Sequence, residues 1–196
     1  GMNPKLNVKM SDNILAGDVW FYDKSDELLK FVSPVSGQIT EIIRGEKRKI
    51  LSIKILADEK QVFKNLGSLK KSANRQEIIE FLLSAGCWPF IMQRPYAIIA
   101  NHKSFPKSIF VSGYSSEPLS ANFDFTLKDN KKEIQAAVSV LGKLSEGNVN
   151  VSVEKSSNSI FREIKDIELY NVSGPHPSGN VGSLINKVDP VNKGES

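Results

Sequence analysis

An α+β chain of two unlike units is predicted, a β-rich unit first and an α/β unit after it. Three observations carry this. Short runs with period-two alternation, broken by turn residues, fill roughly residues 4–57. The hydrophobic period then changes to 3.6 at Asn74, where a capping-box acid, Glu77, stands three residues on. Strand, helix and strand then follow one another over residues 109–153, the order of a βαβ unit with a parallel sheet. The first unit is placed within residues 1–60 and the second within 61–196.

In the first unit Leu6, Val8 and Met10 alternate with polar residues as in a half-buried strand, and Ser11-Asp12-Asn13 is turn chemistry. Val19 to Tyr22, Leu28 to Val32, Gln38 to Ile43 and Lys49 to Leu56 read as further strands. Ser33-Pro34-Val35-Ser36-Gly37 is a turn between them, and a basic turn at Gly45 joins the last two. Ile78, Ile79, Leu82 and Leu83 form the apolar face of a helix over about residues 75–85, with Gly86 as its C′ residue.

Proline breaks the segment from Pro89 to Pro106, so no helix is expected there. Ile109-Phe110-Val111 is a short strand, and Phe123 to Leu127 reads as another. Ile134, Ala137, Val138, Leu141 and Leu144 share one face of a second helix, capped by Asp129 or Asn130 and ended by Gly147. Asn148 to Val153 and Ile167 to Val172 are strands. The tail from Ser173 is rich in Gly, Pro, Ser and Asn, with a last short strand expected at Ile185 and Val188.

Composition narrows the function classes. The chain has 196 residues, 40% of them hydrophobic, which supports a core without staples. One cysteine, Cys87, excludes an internal disulfide framework and fits a reducing compartment. No apolar run is long enough to cross a bilayer, and no secretory signal leads the chain. The net charge is +4 and the pI near 9.0. The densest basic runs, Arg44 to Lys49 and Lys70-Lys71, suit either an anionic partner or a solvated surface. No aromatic residues interleave with them, so nucleic acid is not the expected partner.

Complete catalytic constellations are missing. Two histidines and one cysteine do not make a zinc site, so no metal is expected. Cys87 follows a helix end, where the dipole opposes a thiolate, and reads as a packed thiol. No P-loop or dinucleotide fingerprint occurs. Gly174, Gly179 and Gly182 have the wrong spacing, and Pro175 and Pro177 remove amides that a phosphate cradle needs. No catalytic residues are assigned, and no self-contained active site is expected.

Two resemblances add a function. Val8 to Asp18, followed by Ser33-Pro34-Val35-Ser36-Gly37-Gln38-Ile39, resembles the barrel-sandwich pattern of lipoyl and biotinyl domains. Carrier members modify a lysine on an exposed hairpin. Lys24 is the nearest candidate here, although Met-Lys-Met is absent. The second resemblance is an ordered series. It runs from Ser33-Pro34-Val35-Ser36-Gly37 and Ile42-Ile43-Arg44-Gly45-Glu46-Lys47-Arg48 through Ser84-Ala85-Gly86-Cys87-Trp88 and Gln93-Arg94-Pro95-Tyr96. It continues with Ile109-Phe110-Val111, Glu117-Pro118-Leu119, Gly174-Pro175-His176-Pro177-Ser178-Gly179 and Asp189-Pro190-Val191. This series resembles the NqrA family, one of the component chains of the bacterial sodium-translocating NADH:quinone reductase.

That resemblance implies a barrel-sandwich hybrid unit, incomplete at its N-terminus, and then a Rossmann-like α/β unit with a small parallel or mixed sheet, both cut from a longer chain. It implies a non-catalytic peripheral subunit on the cytoplasmic face of the inner membrane, docked on the other subunits of a complex that couples NADH oxidation and quinone reduction to Na+ export. NADH, flavin and iron–sulfur centres would sit in those other subunits, with none bound by this fragment. A quinone contact remains open, and Trp88, Phe90, Arg94, Tyr96 and His176 are its candidates, each equally readable as packing or loop structure. The alternatives are the C subunit of an Rnf-type electron-transport complex, or a free-standing lipoyl- or biotinyl-like module.

Overall fold

The structure is a computed structural model and describes residues 2–195. It divides into two compact units between Met92 and Gln93.

In the first unit, β1 (Pro4–Leu6), β3 (Val19–Asp23) and β4 (Asp26–Val32) form one antiparallel sheet, with β3 in the middle. The strands β2 (Asn13–Ile14), β5 (Gly37–Arg44) and β6 (Ile50–Ala57) form a second, with β5 in the middle. The sheets share a core in which Val8, Ile14 and Ile39 are buried and Trp20, Ile42, Ile53 and Ile55 pack around them. The expected Leu6–Met10 strand is corrected: β1 stops at Leu6, Val8 is buried and Met10 is 64% exposed.

The Ser33–Gly37 turn is fastened from both sides. Ser33 N donates to Asp18 O, and Gly17 N donates to Ser33 O, both at 2.8 Å. Buried Ser36 donates its amide to Gln61 Oε1 (2.7 Å) and accepts Val62 N on its hydroxyl (2.9 Å). Gly37 must lack a side chain, since a Cβ there would stand 2.1 Å from Leu56 O.

Helix α1 (Arg75–Ser84) starts as its sequence predicts. Asn74 Oδ1 accepts Glu77 N at 3.0 Å, and Glu77 Oε2 accepts Asn74 N at 2.7 Å. It buries Ile78, Ile79 and Leu83 and packs against β4, as does the turn of 3-10 helix Trp88–Phe90. Gly86, at φ +68°, lets the chain leave the helix against Val32, whose Cγ1 lies 2.5 Å from where a Cβ would stand. The packing division therefore falls beyond α1, although the hydrophobic period changes before it.

Beyond two-residue strands β7 (Met92–Gln93) and β8 (Ile98–Ile99), the second unit is built on a three-stranded parallel sheet. Its strands are β9 (Ile109–Ser112), β10 (Val149–Glu154) and β11 (Glu168–Val172), with β10 central. Val149, Val151 and Val153 point to one face, where Val138, Phe161 and Ile164 complete the buried cluster. Val138 belongs to α3 (Lys131–Leu141), which crosses over from β9 to β10 in the expected order. Its end is corrected from Gly147 to Leu141, with Gly142 as the C-cap.

Two further expectations are corrected. Residues 123–127 are not a strand. Asn122 Oδ1 accepts Phe125 N (3.0 Å) and winds Phe123–Thr126 into a one-turn helix, α2. Ile185 and Val188 lie on a helix, α4 (Val181–Val188), rather than a strand. Val181, Leu184, Ile185 and Val188 stand at i, i+3, i+4 and i+7, a helical spacing that the Gly- and Pro-rich surroundings obscure.

Candidate functional site

The Gly174-Pro175-His176-Pro177-Ser178-Gly179 motif joins β11 to α4. It therefore lies past the carboxyl ends of the parallel strands, the edge at which open α/β sheets hold ligands. Internal bonds fold it tightly. Ser178 N donates to Pro175 O and Asn180 N to Pro177 O, each at 2.9 Å. The Ser178 hydroxyl donates to Gly174 O, and the Ser183 hydroxyl to Pro177 O.

The motif is also stitched to the segment leaving β9. Gly179 N donates to Ser116 Oγ at 2.9 Å, and the Ser112 hydroxyl, which donates to Tyr114 O at 2.7 Å, shares its proton with Gly179 O at 3.1 Å. The two backbones touch: a Cβ on Gly179 would stand 2.4 Å from Ser116 N. With Gly179 N on its oxygen, Ser116 has a hydroxyl proton to offer His176 Nδ1, 3.3 Å away.

His176 is exposed. Arg94 is half-buried, and its guanidinium Nη1 lies 4.0 Å from the position of a Cβ on Gly182, in the first turn of α4. Two of the predicted residues thus lie toward the start of α4, Arg94 beside Gly182 and His176 in the loop that leads into the helix.

The arrangement is bonded largely to itself. Ser116 and His176 lack the third group of a nucleophile–base system, since no carboxylate orients the imidazole among the described residues. Nor does the loop cradle phosphate: the amides of Ser178, Gly179 and Asn180 all donate inside the protein, and Pro175 and Pro177 have none. No three His, Cys, Asp or Glu side chains gather for a metal ion among the described residues. Gly179 stands in the motif, whereas Ser112 and Ser116 escape sequence reasoning. Their one signal is a serine run directly after a parallel strand.

The other candidates differ in exposure. Trp88, in the first unit, is 4% exposed and packs as core. Phe90 in that unit and Tyr96 in the second are 85% and 82% exposed, so neither ring is enclosed. Lys24 is exposed at the apex of the two-residue β3–β4 hairpin. Buried Asp23 holds that apex, accepting Ser25 N (2.9 Å) and the Ser25 hydroxyl (2.8 Å). Cys87 is exposed rather than packed in the core, yet partial burial of its sulfur pushes the thiol pKa up.

Asp189, in the Asp-Pro-Val motif, is pinned to the start of β9. The Ser108 hydroxyl donates to its Oδ2 (2.7 Å), and Lys107 Nζ lies 2.5 Å from Oδ1. Lys107 and then Ser108 hold this carboxyl below the usual carboxylate range. No described helix is long and apolar enough to cross a membrane.

Comparison with known proteins agrees with this architecture. The family model of the NqrA N-terminal barrel-sandwich hybrid domain matches residues 1–58, and that of the NqrA second α/β domain matches residues 73–196. The NqrA chain of the Na(+)-translocating NADH-quinone reductase of Saccharophagus degradans is 34% identical over 194 residues, covering 97% of this chain and 43% of its own length. Those of a Marinomonas species and of Histophilus somni are also 34% identical, over 195 and 200 residues, covering 98% and 100% of this chain and 43% and 45% of their own. The chain spans less than half the length of these curated relatives. On both domain matches, it belongs to the NqrA family of the Na(+)-translocating NADH-quinone reductase.

Proposed function

We propose that this chain is a non-catalytic, peripheral part of a sodium-pumping NADH:quinone reductase, one that presents docking surfaces to other subunits on the cytoplasmic face of the membrane. The observation that carries the reading is the stitched loop at Ser116, Gly179 and His176. Motif residues that a reaction centre would aim at a substrate instead bond to one another and hold one imidazole in the open. The Ser33–Gly37 turn and Asp189 support it in the same way. Oxidation of NADH, and the flavin and iron–sulfur chemistry, then belong to the other subunits.

A quinone contact made by this chain is assigned to Arg94 and His176, whose N–H groups suit the carbonyl oxygens of a quinone head. Trp88, Phe90 and Tyr96 are not needed for it. The test is retention of pump subunits from detergent-solubilised membranes by this chain and by a full-length relative in parallel. Both should retain them, and Arg94→Ala with His176→Ala should weaken binding of a quinone analogue to the assembled complex. If neither bait retains any pump subunit, the docking role fails.

A further inference from the structure

The chain's densest basic run carries most of its net charge. Residues 44–49 hold Arg44, Lys47, Arg48 and Lys49 against Glu46, a net +3 of the chain's +4, which leaves +1 for the other 190 residues. These residues connect β5 to β6 through a tight turn, Glu46–Arg48. Gly45 N donates to Lys49 O (2.8 Å), Lys49 N to Glu46 O (3.1 Å) and Arg44 Nη1 to Arg48 O (3.1 Å), so the tip has a fixed shape. Lys47 and Arg48 both take left-handed backbone angles, φ 53° and 60°. All four cations are exposed, and none is paired with a carboxylate among the described residues. Leu51 lies against the tip: its Cδ1 is 3.1 Å from where a Cβ on Gly45 would stand, and the residue is 60% exposed.

We propose that this β5–β6 tip docks directly on an anionic phospholipid surface, with Lys47, Arg48 and Lys49 among the headgroups and Leu51 at the acyl boundary. Cations flanking an exposed aliphatic side chain match the two layers of a membrane interface. Nucleic acid is disfavoured, because residues 44–51 hold no aromatic ring on which a base would stack. The inference rests on the reading that the chain works at a membrane, but it concerns lipid and not the other subunits.

The test is co-sedimentation of the purified chain with vesicles of phosphatidylcholine and phosphatidylglycerol at three to one, against phosphatidylcholine alone. Binding to the anionic vesicles only, with release at high salt, is expected. Replacing Lys47, Arg48 and Lys49 by Ser, which spares the Arg44 fastening, should lower the apparent partition constant on the order of 100-fold. A charge-matched control, K60S/K70S/K132S, should lose far less, and L51S should lose a few-fold at unchanged charge. Equal loss in the two triple variants would overturn the proposal. So would binding to an acidic polypeptide but not to anionic vesicles, or no preference for anionic lipid. No other subunit is present in this assay, so its failure leaves the subunit-retention result standing, and the reverse holds too.

Discussion

Replacing Gly179 with Ala tests whether close backbone approach is what fixes this glycine. The added Cβ would stand 2.4 Å from Ser116 N and 3.0 Å from both the Ser115 carbonyl carbon and Ser116 Oγ. Comfortable contact needs about 3.5 Å, so the two backbones must part by about 1 Å. Overpacking of this kind costs about 1–3 kcal/mol. The same movement stretches the Gly179 N to Ser116 bond, worth about 1 kcal/mol, and the weaker shared contact from Ser112 to Gly179 O. The expected loss is about 3 kcal/mol. Gly142→Ala is the control. It stands at a helix C-cap with φ −58°, and the nearest atoms to its added Cβ are 3.4 and 3.8 Å away. That change should be neutral or stabilising by up to about 1 kcal/mol, through the unfolded chain. In urea, followed by far-UV circular dichroism, G179A should lower the midpoint by about 1.5 M for an m-value of about 2 kcal/mol/M. Amide exchange should quicken first in α4 and β9. A G179A midpoint equal to the parent's, or equal damage from G142A, would refute the close-contact account.

Two further tests address the first unit and the acid limb. Asn74→Ala removes the acceptor of Glu77 N and should cost about 1 kcal/mol, read as faster exchange in the first turn of α1; unchanged exchange there would show the cap to be idle. Asp18 accepts Leu15 N and pairs with Lys64, and these hold its pKa down, as Lys107 and Ser108 do for Asp189. A depressed folded pKa gives stability that is present in full above the unfolded carboxylate value near 4 and is lost as pH falls through the folded value. Thermal midpoints should therefore stay level from about pH 8 to 5 and fall below about pH 4, and D18N should shrink that fall. A main loss between about pH 7 and 5 would contradict this.

What was legible in the sequence was periodic or capped. Asn74 and Glu77 announce α1, and the alternating strands and the β9–α3–β10 crossover are readable because one face of each is buried. Where short polar side chains decide the backbone, the pattern misleads. Phe123 to Leu127 looks like a strand until Asn122 caps the turn, and α4 hides its four apolar residues behind Gly182 and the preceding prolines. Cys87 misled in another way, because its neighbours Ala85, Gly86 and Trp88 are all buried while it is exposed. The site was half visible: His176 and Arg94 are named by their motifs, whereas Ser112 and Ser116 act through contacts some sixty residues apart in the chain.

Within the family motifs and directly beside them, Gly and Ser residues share a common use. Gly37 and Gly179 sit where another backbone leaves no room for a Cβ, and Ser33, Ser36, Ser108, Ser112 and Ser116 each bond to main chain or to a pinned carboxylate. A side chain at Gly37 or Gly179 would force a backbone aside, so these positions serve the architecture. His176 is the exception within its motif. Its Nδ1 faces Ser116, while its ring remains exposed on a loop whose course is set on both sides. A loop stitched that closely loses little entropy when a partner meets it. The bonds that occupy the loop's amides and deny it a phosphate thus suit the docking role proposed for it.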